Sequence, residues 1–304
     1  MRPPSSSAVA VAVEAPTAST LLSDYKELLK PGITAFVVVM AAAGYLLGAT
    51  GPVDWRVLLG LMVGTGLTGG GAAALNHVIE RKHDARMART ASRPLPGGRM
   101  GPVHATLYAT ACVVAGAVVL AVTTNILTTG LSLLTVALYV GVYTPLKRRT
   151  IHNTLVGAVP GALPALGGAA AATGSLDPVG WALFAILYLW QLPHFYALAW
   201  MFRDDYQRGG FRMLPTADEG ERTLASLVLV ASLMLLVAGV IPAAIGQAGM
   251  LFLIGMAGLG TAFTIPAFSF FSEPTDERAR RLLYASILYV PAFFVLVVAD
   301  FLLR

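Results

Sequence analysis

Charge is scarce in this chain, and so is cysteine. Asp, Glu, Lys and Arg make up 12% of its 304 residues, where a soluble domain carries about 25%. Cys112 is the only cysteine, which excludes an intrachain disulfide and any zinc-finger spacing. The net charge of +5 does not point to nucleic acid. The basic residues fall in short gaps between apolar stretches, where they read as topology signals. What is plentiful is apolar: 56% hydrophobic residues and a mean hydropathy of +0.71. Long stretches with no charge predict an all-α, polytopic membrane protein embedded in the lipid bilayer.

Nine spans of about 18–24 residues, each long enough to cross a hydrocarbon core, are expected at 32–50, 57–79, 103–122, 126–145, 154–173, 178–201, 223–242, 248–270 and 281–301. Only Arg56 and Arg304 then fall on one side, leaving 19 of the 21 basic residues on the other. The positive-inside rule makes that other side cytoplasmic, with the N-terminus in and the C-terminus out. Residues 1–22 are rich in Pro, Ser and Ala. The apolar piece Ala8–Val13 is too short for a signal h-region and runs into Glu14, so a disordered cytoplasmic tail is expected there, ahead of a single domain over 23–304. The outer loops are short. The two long inner loops, after the second and sixth spans, carry most of the polar residues. They lie four spans apart, which suggests a pseudo-repeat of four-helix units with a ninth helix added. Gly64–Gly71 and Gly157–Gly168 contain small-residue runs that let helices approach closely. Pro145, Pro160, Pro164, Pro193 and Pro242 are expected to kink or end helices.

Asn76, Glu80 and Asp84 fall at i, i+4 and i+8 at the end of the second span, so they share one helix face. Polar groups at that depth are costly and mark function by default. Magnesium is usually held by one or two carboxylates together with substrate phosphates. A solvated helix end with local ion pairs is the plainer alternative. Asp204 and Asp205 form a second acidic pair at the end of the sixth span, beside Arg208 and Gly209-Gly210. Arg89 and Arg93 follow the first acidic face directly, and Lys147, Arg148 and Arg149 fill the gap after the fourth span. Guanidinium forks suit diphosphate or carboxylate oxygens, although topology alone accounts for a basic loop. His194 lies ten residues before Asp204, about 15 Å deeper along a helix. It could serve as a general base, a haem-iron ligand or a hydrogen-bond anchor. His77, His83, His104 and His152 fall near the interface and say less.

Three strings carry a resemblance that covers nearly the whole chain from Lys30 onward: NHVIERKHDARMARTASRPLP at 76–96, YTPLKRRTIHNTLVGAVPGALP at 143–164 and LWQLPHFYALAWMFRDDYQRGGFRMLP at 189–215. With them the chain resembles the UbiA superfamily of intramembrane prenyltransferases, and within it the haem-farnesylating branch. The resemblance implies a nine-helix bundle with a central cavity in a bacterial inner membrane. It implies transfer of farnesyl from farnesyl diphosphate to the 2-vinyl group of haem B, with water addition, giving haem O that would feed haem A synthase. It implies Mg2+ held by Asn76, Glu80, Asp84, Asp204 and Asp205. Diphosphate would be gripped by Arg89, Arg93, Lys147, Arg148 and Arg208, and catalysis would rest on His194, Asp84, Arg89 and Arg93. The superfamily pattern usually has Asp where this chain has Glu80. An aromatic acceptor such as 4-hydroxybenzoate is the alternative within the enzyme class, and a transporter without chemistry is the alternative outside it.

Overall fold

A computed structural model describes residues 18–217 and 220–303. Its regular elements, among the described residues, are all helical, as the apolar composition requires: in hydrocarbon each backbone polar group must bond within its own segment. A short helix, α1 (Ala18–Leu28), precedes the bundle. Residues 1–17 of the expected tail lie outside the described residues, and α1 begins inside the remainder of it. The helices long and apolar enough to span a membrane are α2 (Pro31–Gly48), α3 (Trp55–Asp84), α4 (Pro102–Thr123), α5 continuing into α6 (Ile126–Leu146), α7 (Asn153–Thr173), α8 (Pro178–Met201), α10 (Gly220–Ala244), α11 (Met250–Ser272) and α12 (Asp276–Leu303). Between the sixth and seventh of these nine lies α9 (Arg203–Arg208).

The starts follow from local chemistry. Pro31, Pro102 and Pro178 occupy first turns, where a missing N–H costs nothing. Asp54, Asn125 and Asp177 cap α3, α5 and α8 by accepting backbone N–H bonds. The anticipated span 57–79 is longer in the structure, because α3 continues to Asp84 and keeps all three acidic-face residues helical. The fourth span contains an unforeseen wide turn, a π-helix over Ala137–Tyr143. Pro145 has no N–H to give to the preceding turn. The Thr144 N–H bonds instead to Tyr139 O, and its hydroxyl donates to the same carbonyl at 2.8 Å. Pro160, Pro164, Pro193 and Pro242 lie within continuous helices.

Consecutive spans are neighbours, and α12 returns to pack on α2. Two further pairings divide the bundle. Packing of α2 on α7 closes a lobe with α3, α4 and α5, and packing of α8 on α12 closes a second lobe with α10 and α11. A narrow cavity of about 30 Å³ lies inside the first lobe, lined by small and hydroxyl residues that include Thr65, Thr68, Ser132 and Gly167.

Glycine sets the approach of α2 to α7. A Cβ on Gly168 would sit 1.9 Å from Ala41 O, and one on Gly44 would sit 2.1 Å from Ala165 O. Both obstacles are backbone and cannot turn aside. Gly168→Ala is therefore expected to destabilise the protein by about 1–3 kcal/mol or more. The adjacent Gly167→Ala meets nothing closer than Leu131 Cβ at 3.9 Å and serves as control. Thermal unfolding in detergent compares the two, and equal midpoints would refute glycine-mediated closure.

Candidate active site

The polar end of α3 is met by three loops, 85–101, 147–152 and 209–217. Asn76, Glu80 and Asp84 are all buried, and each is oriented by a partner from another element or from the following turn. Lys30 Nζ donates to Asn76 Oδ1 at 2.8 Å, and Asn76 Nδ2 donates to Thr144 Oγ1 at 3.0 Å. Lys147 Nζ lies 2.9 Å from Glu80 Oε1 and 3.1 Å from Oε2, but only the second contact has hydrogen-bond geometry, leaving Oε1 buried without a donor. Arg93 Nη1 takes only Oδ2 of Asp84, at 2.9 Å. Thr90 folds the intervening turn back by donating to Asp84 O at 2.8 Å.

Burial opposes the charge on Lys147, but the Glu80 carboxylate beside it outweighs burial and holds its pKa above the usual lysine value. The ammonium also lies over the rings of Tyr143 and Phe211, at 4.8 and 5.8 Å. Burial pulls Lys30 down to about 7, and the cations of Lys147 and Arg93 push the same way. A bound polyanion would reverse that effect by adding negative charge.

The loop after α8 is tied to the same mouth. Asp205 pairs with Arg208, whose hydrogen bond holds its carboxyl below the usual carboxylate range. The backbone of Ala88 and Arg89 lowers it further. Gly210 has φ 75°, a conformation that favours glycine, and follows the carbonyl of Gly209. That carbonyl accepts from His83 Nδ1 at 2.8 Å. His83 Nε2 is then the acceptor for Arg148 Nη1 at 3.3 Å. Arg212 N donates to Lys147 O at 2.8 Å, and Asn153 Nδ2 donates to Arg212 O at 2.7 Å.

The structure thus brings Asn76, Glu80, Asp84, Arg93 and Lys147 together, with Asp205 and Arg208 at the rim. Arg89, Arg148 and Asp204 are exposed, and Arg89 stacks over Phe202 at 5.2 Å. His194 is not in this cluster. It lies deeper on α8 and faces α12, with Nδ1 2.8 Å from Ser286 Oγ. Three residues belong to the site without having stood out in the sequence: Lys30, His83 and His77. His77 is buried with both ring nitrogens unpartnered. It borders a cleft of about 550 Å³ shared with Lys26, Lys30 and Arg93. Its spacing to Glu80 and Asp84, i+3 and i+7, places it on their face and was the available signal.

Among the described residues, no three His, Cys, Asp or Glu side chains form a metal cage. A divalent ion here would need oxygens from a ligand besides those of Glu80 and Asp84. A magnesium–phosphate pair meets that need, and the buried Oε1 of Glu80 suits it.

The chain matches the model of the UbiA prenyltransferase family over residues 37–297. It is 46% identical over 284 residues to a protoheme IX farnesyltransferase of Salinibacter ruber, covering 93% of this chain and 100% of that one. It is 41% identical over 288 residues to a protoheme IX farnesyltransferase of Solibacter usitatus, covering 92% and 99%. Among solved structures, a digeranylgeranylglyceryl phosphate synthase in membranes is similar with TM-score 0.75 at 16% identity, over 93% of this chain and 99% of its own. A UbiA homologue from Archaeoglobus fulgidus bound to GPP and Mg2+ is similar with TM-score 0.64 at 14% identity, over 90% and 99%. At these identities the two structures speak for the fold alone.

Proposed function

We propose that this chain, which belongs to the UbiA prenyltransferase family, transfers a farnesyl group from farnesyl diphosphate to the 2-vinyl group of haem B, with addition of water, to give haem O and diphosphate. The observation that carries the acceptor is 46% identity to a protoheme IX farnesyltransferase over that protein's full length. The donor half rests on the paired acidic and basic groups at the mouth of α3.

Lys147 and Arg93 stand 2.9 Å from Glu80 and Asp84, within reach of a diphosphate seated on that face. Asn76, Glu80 and Asp84, with Asp204 and Asp205 holding a second ion or sharing the first, would hold magnesium together with the diphosphate, where it would supply positive charge against the leaving oxygens. Arg93, Lys147 and Lys30, with Arg89, Arg148 and Arg208 at the rim, add fixed donors there. The allylic C1–O bond breaks and its electron pair leaves with diphosphate. The vinyl π electrons form the new C–C bond to C1. The resulting cationic carbon takes the oxygen of water, and the proton of that water passes to a base. Burial of the face keeps bulk water from capturing the allylic cation first.

The acidic and basic loops lie on the cytoplasmic side of a bacterial inner membrane, with the C-terminus opposite, because 19 of 21 basic residues fall on that side. The product is a substrate for the class of enzyme that oxidises the haem O methyl group, such as haem A synthase.

Purified protein supplied with haem B, farnesyl diphosphate and Mg2+ is expected to yield a haem heavier by a hydroxyfarnesyl unit in mass spectrometry. Chelation of the metal is expected to abolish the product, and readdition of Mg2+ to restore it. Diphosphate release that requires 4-hydroxybenzoate, with no haem product, would assign an aromatic acceptor instead.

A further inference from the structure

His194 stands apart from the carboxylates: it lies on α8, seven residues before that helix ends at Met201, about 10 Å along the helix. Its surroundings are specific. Nδ1 lies 2.8 Å from Oγ of Ser286, a wholly buried residue of α12. The Ser286 hydroxyl donates to Leu283 O at 2.6 Å, within its own helix. A serine hydroxyl has one proton to give. With that proton spent on Leu283, Oγ meets His194 as an acceptor, so the imidazole proton resides on Nδ1. Nε2 then carries a lone pair and has no hydrogen-bond partner among the described residues.

Ser286 also fixes the plane of the ring. Its carbonyl accepts from the Trp190 indole N–H at 3.0 Å. Trp190 stacks on His194 at 5.2 Å and on Phe36 of α2 at 5.1 Å. Phe195 presents its edge to the imidazole at 5.3 Å. One residue therefore sets the tautomer through its side chain and the stacking partner through its main chain. An imidazole that donates from one nitrogen and offers the other is the usual form of a histidine that ligates a metal. Flat aromatic neighbours suit a flat ligand.

We propose that Ser286 is a positioning residue that holds His194 in the Nδ1–H form, so that Nε2 is the axial ligand of the acceptor's haem iron. This rests on haem being the acceptor.

The test is a titration of the purified protein with ferric haem B without farnesyl diphosphate, read by Soret absorption and electron paramagnetic resonance. The wild type is expected to show a histidine-ligated iron. Ser286→Ala is expected to bind the iron about 10–100-fold more weakly, and Ser286→Thr to recover most of the signal. His194→Gly is expected to lose the signature and regain it with added imidazole, which keeps the question open to refutation if Ser286→Ala does not fold. Farnesyl diphosphate binding is expected to be unchanged in all three variants. A histidine signature that survives in His194→Gly without imidazole, or equal affinity in Ser286→Ala, overturns the proposal. Haem O formation by the same wild-type preparation separates the two failures: product with unaltered spectra overturns only the positioning role, whereas no haem product overturns the reaction itself.

Discussion

Asp84→Asn is expected to lower haem O formation by about 10³-fold, the equivalent of roughly 4 kcal/mol of transition-state stabilisation, without unfolding the protein. Asp84 is 1% exposed and faces the mouth from the last turn of α3. Arg93 engages only Oδ2. Asparagine preserves the shape and one acceptor oxygen but removes the charge that a magnesium–diphosphate pair needs. Loss of an ionic partner also loosens Arg93, so two contributions to charge stabilisation fall together. The result should depend on metal: raising Mg2+ is expected to recover part of the lost rate, because the variant binds the ion more weakly rather than losing the reaction path. Initial rates across a magnesium series, alongside thermal unfolding of the same samples, provide the check. A variant that keeps more than about a tenth of wild-type turnover at low magnesium would remove Asp84 from the metal site, since losing even one stabilising donor typically costs about 10²–10³-fold.

The parts of this molecule that were legible in the sequence are those that local pattern encodes. Hydropathy over some twenty residues defines a span, so the nine spanning helices among the described residues follow from the apolar pattern alone. The acidic face follows from a four-residue period, and it survives because α3 continues through Asp84. Lys30 shows where that kind of reasoning stops. It reads as one more topology charge, yet the turn between α1 and α2 holds it at φ 46° and brings Nζ to Asn76, 46 residues away. The role of His83 likewise depends on Gly209, 126 residues distant. Ser286 is a single hydroxyl in an apolar helix, and only the packing of α8 on α12 gives it meaning. The π-helix arises from a proline whose effect falls on the turn before it. In each case the determinant is a long-range contact or a hydrogen bond redirected by a neighbour.

Lys147→Met is expected to destabilise the protein by about 3–5 kcal/mol, because it leaves the Glu80 carboxylate buried without its counter-charge. Glu80 and Lys147 side chains are 6% and 13% exposed, and their charged atoms approach to 2.9 Å. Glu80→Gln is expected to destabilise in the same direction by stranding the ammonium, with Tyr143 and Phe211 softening the loss. The double variant Glu80→Gln/Lys147→Met removes both charges and is expected to recover most of the stability, while haem O formation stays abolished. Chemical unfolding of the four proteins in one detergent gives the coupling energy, and additive effects would show that the pair is not a unit. The same balance constrains how substrate arrives. Farnesyl diphosphate alone would draw Lys147 away and strand Glu80, and magnesium alone would claim Glu80 and strand Lys147. A magnesium–diphosphate pair gives each side chain an opposite charge at once, so donor and metal are expected to bind with strong positive coupling. Isothermal titration of farnesyl diphosphate with and without Mg2+ measures that coupling directly, and its loss in the double variant would place it in these two side chains.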